Sequence, residues 1–201
     1  MCIPFFGYIV KSTEPKKGFS ILFSSVISFS IFLFINPFSY IGAFFLFIYL
    51  ILFKRTEKLY YLLLSFISFL VAAFNLVGDS LFIATLPIML VSSIFSLMMI
   101  GHWFLVDPTI SRVGMKNIAK SSMFFATMLC LLLITGLITN DISTLYRNII
   151  LGLYISSGIL SLGAYKSLNE TSYTGVMAAT GLSYLSLLVS LGGTGTLILL
   201  P

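Results

Sequence analysis

Asn36-Pro37-Phe38-Ser39-Tyr40-Ile41-Gly42-Ala43-Phe44-Phe45-Leu46-Phe47-Ile48-Tyr49-Leu50-Ile51-Leu52-Phe53-Lys54-Arg55-Thr56-Glu57-Lys58 runs from a turn signal, through an apolar segment, to a cluster of charge. Pro37 disfavours helix at Asn36, and an Asn-Pro pair favours a turn. A turn there makes residues 19–35 and 40–53 a hairpin of two spans. Lys16-Lys17 and Lys54-Arg55-Lys58 then lie on one side of a membrane. The alternative is one long helix from Phe19 to Phe53, kinked at Pro37, with the two basic clusters on opposite sides. Cytoplasmic loops hold an excess of Lys and Arg because carrying a hydrated cation through the bilayer is costly, so the charge rule favours the hairpin. Both spans are short against the ~20 residues that a ~30 Å hydrocarbon core asks for.

Continuing outward, the apolar runs predict spans over roughly residues 59–77, 81–106, 118–138, 145–164 and 173–199. Pro87, one to two turns into the fourth span, predicts a kink. Under this threading Lys11, Lys16, Lys17, Lys54, Arg55, Lys58, Arg112, Lys116, Lys120 and Lys166 share one side, and Arg147 alone falls on the other. The expected fold is therefore all-α: a polytopic transmembrane helical bundle of seven spans, N-terminus inside and C-terminus outside. It forms one transmembrane domain over residues 1–201, in the inner (cytoplasmic) membrane. Cys2 to Val10 is apolar, but as a signal peptide it is too short and lacks a basic region before it.

Composition agrees. The chain has 59% hydrophobic and 8% charged residues, whereas a soluble domain carries about 25% charged. The formal net charge of +5 follows the topological bias and is spread over short loops, so it does not point to nucleic acid. The expected environment is the lipid bilayer, where basic loops also meet anionic headgroups at about 1 kcal/mol per cation. Cys2 and Cys130 have no ligand-pair spacing, which excludes a cysteine-based metal site or a disulfide framework.

The sixth and seventh spans are rich in small residues, Gly152, Ser156, Ser157, Gly158, Ser161 and Gly163, then Gly175, Ala178, Ala179, Gly181 and Ser183. Small residues let backbones approach in lipid, where association comes from packing. Both spans are expected in the bundle interior, against the fourth and fifth.

Polar groups within a membrane are default functional candidates. His102 is the only histidine, about 7 Å inside the inner boundary when counted back from Asp107 at ~1.5 Å per residue. Thr180 lies at a similar depth on the last span, with Tyr184 a turn deeper. His102, Trp103, Thr180 and Tyr184 form the candidate ligand or cofactor site, in which Thr180, Tyr184 or a backbone carbonyl would partner the imidazole. The competing reading is an interfacial His beside Trp103. His102 is also the only histidine ligand a metal or haem could use. Membrane b-type haems usually need two, so a haem or quinone would be shared with a partner subunit, or a Met would supply the second ligand. On the outer side Arg147, which breaks the charge rule, is expected to pair with Asp79 or Asp141.

No catalytic set emerges. There is no Lys in the last span, no carboxylate near mid-membrane and no His–carboxylate pair on one helical face, so an enzyme acting alone is not the expectation.

Gly101-His102-Trp103-Phe104-Leu105-Val106 with Pro108, and Ala178-Ala179-Thr180-Gly181-Leu182-Ser183-Tyr184, resemble paired motifs of a family of bacterial multi-span membrane proteins: Gly-His-Trp-aromatic-Leu before a Pro, and Ala-Thr-Gly-x-x-Tyr in the last span. The resemblance implies that His102 and Thr180 belong to one site, and it implies no reaction. Three functions are expected in order: an accessory or structural subunit of a larger membrane complex in energy conversion, joined to other membrane subunits; a small carrier or channel with a path between the fourth, sixth and seventh spans; and a redox or cofactor-binding protein using His102.

Overall fold

The computed structural model describes residues 2–13, 16–33, 36–52, 59–77, 81–137 and 143–199. Among them are eight helices and no strand: α1 Cys2–Thr13, α2 Lys17–Leu33, α3 Pro37–Ile51, α4 Leu59–Val77, α5 Leu81–Phe104, α6 Arg112–Ile134, α7 Thr144–Ser167 and α8 Tyr173–Leu199. The all-α expectation therefore holds. Four helices are long and apolar enough to cross a membrane, over Ala84–Phe104, Arg112–Ile134, Thr144–Ser167 and Tyr173–Leu199, while α1 to α4 contribute shorter apolar stretches. The chain packs as two compact units, Met1–Leu81 and Phe82–Pro201.

In the first unit the helix break falls where the sequence puts it. Asn36 is extended (φ −139°, ψ 136°), and its side chain accepts a hydrogen bond from the Phe38 amide at 3.0 Å. Pro37 occupies the first turn, where a helix has no use for the missing N–H. The direction of the break follows from one side chain. The buried ring of Phe6 stacks on Phe23 at 4.8 Å and meets Tyr49 edge-on at 5.9 Å. Along one straight helix Phe23 and Tyr49 would lie about 39 Å apart at ~1.5 Å per residue. Both therefore reach Phe6 only because α2 and α3 fold back on each other, which excludes the single long helix.

Phe6 also marks what the sequence under-read. Residues 2–10 belong to α1, an eighth helix beside the seven expected, and it stands among the shorter apolar helices, not among those long enough to span. Ile3, Phe6 and Ile9 are buried at a three-residue interval, the periodicity of one helical face. Because Phe6 meets Phe19 and Phe23 near the start of α2, α1 and α2 form a hairpin, and Lys11 and Lys17 share its closed end. The hairpin of α3 and α4 is closer still. The Ser65 hydroxyl donates to the Gly42 carbonyl at 2.8 Å, and a Cβ on Gly42 would stand 2.8 Å from the Phe69 ring.

The second unit is an up-down-up-down four-helix arrangement. Leu90 and Ile94 of α5, Ala126, Leu129 and Leu133 of α6, Ile150 and Tyr154 of α7, and Leu197 of α8 fill one core. Between α7 and α8 the Ser186 hydroxyl lies 3.0 Å from that of Ser157 and 3.2 Å from that of Ser161, and Tyr154 Oη lies 3.4 Å from Thr194 Oγ1. The small residues do not make α7 and α8 interior helices, as the sequence suggested. Ser157, Ser161, Gly175, Ala179 and Ser183 are buried, but Gly152, Ser156, Ala178 and Gly181 are exposed. In a four-helix unit every helix keeps an outer face, and the small residues are divided between the two sides.

Helix ends differ most from expectation at α6, which begins at Arg112 instead of near residue 118. Ser111 caps it, its hydroxyl accepting from the Val113 amide at 3.3 Å. Arg112 and Lys116, which were expected to lie before the span, consequently stand on helix together with Lys120. Gly136, in the left-handed region at φ 74°, follows the helix end, as is usual for glycine there. Pro87 lies within continuous α5 helix.

The Gly42–Phe69 contact yields a test. Gly42→Val is expected to destabilise the first unit by about 1–3 kcal/mol through overpacking. Thermal unfolding in detergent reads this directly, and an unchanged Tm would mean that the Phe69 ring moves aside at no cost.

Candidate functional site at the charged end of α5–α8

The last turn of α5, the link to α6 and the link between α7 and α8 meet at one end of the second unit. Gly101 of α5 packs against Thr180 of α8: a Cβ there would collide with the Thr180 hydroxyl, so any larger residue would have to displace that side chain. Thr180 is buried and spends its hydroxyl proton on its own helix, donating to the Val176 carbonyl at 2.8 Å. Ser183 in turn donates to the Thr180 carbonyl at 2.7 Å.

The sequence expected His102, Trp103, Thr180 and Tyr184 to converge. The structure brings Gly101 onto Thr180, and His102 leaves α5 from the adjoining side, since successive helical residues diverge by about 100°. The imidazole is exposed and takes no side-chain hydrogen bond from the described residues, so neither Thr180 nor Tyr184 serves as its partner. Trp103 is half-buried, and Tyr184 is 44% exposed. The two motifs are thus joined through a glycine–threonine contact, with the histidine on the rim.

Beyond His102 the chain turns through a local carboxylate cap. Asp107 is buried, and its Oδ1 accepts from the Thr109 hydroxyl at 2.6 Å and from the Thr109 amide at 3.3 Å. A buried carboxylate is costly unless hydrogen-bonded, and Thr109 meets that need within two residues. Three residues on, Arg112 reaches across to the α7–α8 link. Its Nη1 donates to the Glu170 carbonyl and its Nη2 to the Ser172 carbonyl, the latter at 3.2 Å. Its guanidinium carbon sits 5.4 Å from the Phe104 ring centre, and that ring lies 6.1 Å from Tyr173. Lys120 lies 5.5 Å from the Tyr165 ring centre on α7. This end therefore carries Arg112 and Lys120, with Lys166 in the last turn of α7.

Sequence reading treated Arg112 only as a topological charge. Its partners are main-chain carbonyls, which leave no signature in residue types.

At the opposite end of α7, Arg147 is half-buried in the first turn, where its amide donates to the Ser143 carbonyl at 3.1 Å. Its expected partners Asp79 and Asp141 lie outside the described residues. Among the described residues no group of three or more His, Cys, Asp or Glu could hold a metal ion. Against protein-family models, curated proteins and solved structures, the chain shows no match.

The Arg112 bridge is testable. Arg112→Gln is expected to loosen the α7–α8 link and to speed its cleavage by an added protease, the loss being about 1.5–3 kcal/mol for charged hydrogen bonds. Arg112→Lys is expected to recover little, because an ammonium cannot fork to two carbonyls while stacking on a ring. Limited proteolysis in detergent measures both. Equal cleavage of all three proteins would remove Arg112 from the bracing role.

Proposed function

We propose that this chain is a multi-pass membrane protein serving as an accessory, structural subunit of a larger membrane assembly in energy conversion, in the inner (cytoplasmic) membrane. The observation that carries this is how the second unit spends its interior polar groups. Ser157, Ser161 and Ser186 bond one another between α7 and α8, and Tyr154 faces Thr194. Apolar residues from all four helices fill the rest. A conduit between α5, α7 and α8 would need those hydroxyls to face a path. With these hydroxyls taken up between α7 and α8, the outer surface is what this reading assigns to partners. There, the exposed Gly152, Ser156 and Gly181 offer the close approach that helix partners use in lipid.

A second reading is favoured by His102. An exposed imidazole beside Trp103, at the rim of a close α5–α8 contact, suits a haem or quinone whose remaining contacts come from a partner subunit. The resemblance of the Gly101–Pro108 and Ala178–Tyr184 motifs to a bacterial membrane family implies only that the two stretches belong to one site, and the Gly101–Thr180 contact is in keeping with that.

The charged ends, with Lys11 and Lys17 in the first unit and Arg112, Lys120 and Lys166 in the second, face the cytoplasm by the positive-inside rule. The last helix then ends outside.

Two experiments test the proposal. Purification of the tagged chain in mild detergent is expected to yield an assembly with other membrane subunits. If it carries a Soret band lost in His102→Ala, the second reading is correct. A lone, colourless species of the chain's own size would sink both. For orientation, single cysteines are placed at Asn169 and Ser143, both exposed, in a chain lacking Cys2 and Cys130. An impermeant maleimide applied to intact cells is expected to label position 143 and spare 169. The reverse pattern would invert the topology.

A further inference from the structure

In the first unit, α1 and α4 leave an open groove of about 430 Å³, walled by Ile3 and Gly7 on one side and Leu62, Leu63 and Phe66 on the other, with Lys11 on its lining. Its volume lies within the ~300–1,000 Å³ of small-molecule sites. We propose that this groove holds one acyl chain of an anionic phospholipid, with the lipid phosphate on the Lys11 ammonium. The inference rests on the membrane-embedded reading and adds a ligand to it.

The walls call for hydrocarbon, and Lys11 is the single charged residue among the described residues that line the groove. Lys11 stands in the last turn of α1 and is exposed, at the closed end of the α1–α2 hairpin where exposed Lys17 begins α2. Its four-carbon stem can lie along an apolar wall while the ammonium reaches headgroup level. Tyr8, one turn back on the same face and 39% exposed, also lines the groove, and tyrosine favours this level of the bilayer. A headgroup with net negative charge matches Lys11, whereas a zwitterionic one carries its own cation. A transmembrane helix of a partner, or a second copy of this chain, would set apolar side chains against the ammonium and leave its charge unmatched.

Native mass spectrometry of the full chain in detergent, titrated with phosphatidylglycerol and phosphatidylcholine of identical acyl chains, tests the assignment. The expected result is one retained phosphatidylglycerol, bound more tightly than phosphatidylcholine. Lys11→Gln is expected to lower that preference about fivefold, and Lys17→Gln to lower it less. Leu63→Trp, at a 59% exposed position that tolerates substitution, is expected to weaken both lipids alike by filling the groove. Equal affinity of the natural chain for the two lipids would overturn the proposal. So would an equal effect of Lys11→Gln and Lys17→Gln, which would signify a diffuse surface field, or a dimer lost in Leu63→Trp, which would make a second copy the occupant. Resistance of the chain to alkaline extraction from vesicles tests the membrane reading separately. A chain that stays embedded but shows no lipid preference loses only the lipid site.

Discussion

Hydrocarbon offers no hydrogen-bond partner, so a hydroxyl taken out of water is costly unless the protein supplies one. The buried Ser12, Ser20 and Ser24 hydroxyls have none among the described residues, but many others do. That constraint explains the pattern of its serines and threonines better than any site does. Ser93, Ser96 and Ser122 each donate to a carbonyl three or four residues earlier on their own helix, at 2.7–2.8 Å. Thr180 and Ser183 do the same one after the other on α8. Once a hydroxyl is satisfied locally, its residue behaves at the helix surface as a small, nearly apolar group, and neighbouring helices close over it. The exceptions point across an interface. Ser65 donates to the carbonyl of Gly42 on the adjacent helix, and Ser186 serves both Ser157 and Ser161. These bonds fix which helices pair and at what level.

Close approach is the second consequence. Association in lipid gains nothing from hiding apolar surface, so packing must be intimate to count. Gly42 admits the Phe69 ring, Gly101 admits Thr180, and Gly193 would place a Cβ 3.1 Å from the Tyr154 ring. Each of these glycines faces a larger residue on the neighbouring helix, which is how a chain so rich in Leu, Ile and Phe obtains specific pairing from a few positions. The bulky residues stand elsewhere: Phe44, Phe47, Ile51 and Leu63 are about 60% exposed, on faces that the described residues leave largely uncovered.

The features legible in the sequence were those set by one residue's own backbone demands or by bulk polarity. Asn36-Pro37 announced a helix break because both residues act locally, and the long apolar runs announced α5, α7 and α8 nearly to the residue. Features that depend on a distant partner were hidden. Residues 2–10 looked too short to matter because a 12-residue helix has little standing alone; Phe6 acquires its role only from Phe19, Phe23 and Tyr49. The early start of α6 was masked by Arg112 and Lys116, whose charge set the expected start of the apolar span behind them, although Ser111 is an ordinary cap. At the candidate site, the sequence placed His102 and Thr180 at one depth correctly enough for their neighbours to meet. It assigned the contact to the histidine, however, when Gly101 makes it. Depth along a helix is counted by rise per residue, but the face is decided by angle, and one residue shifts that by about 100°.

The same accounting explains why chemistry gathers at the charged ends. A cation must stay near headgroup level, so the loops that carry Lys and Arg are held where both water and hydrocarbon are within reach. Arg112 uses that position to brace two carbonyls of the α7–α8 link while its flat face covers Phe104. Lys11 uses it to stand on the lining of an apolar groove. In the first case the protein supplies the acceptors, and the cation becomes structural. In the second the groove residues beside Lys11 are apolar apart from the Tyr8 hydroxyl, so the charge is left to select what comes from the membrane. The two cations obey one topological rule, and what separates their roles is whether the fold brings carbonyl oxygens or hydrocarbon walls to meet them.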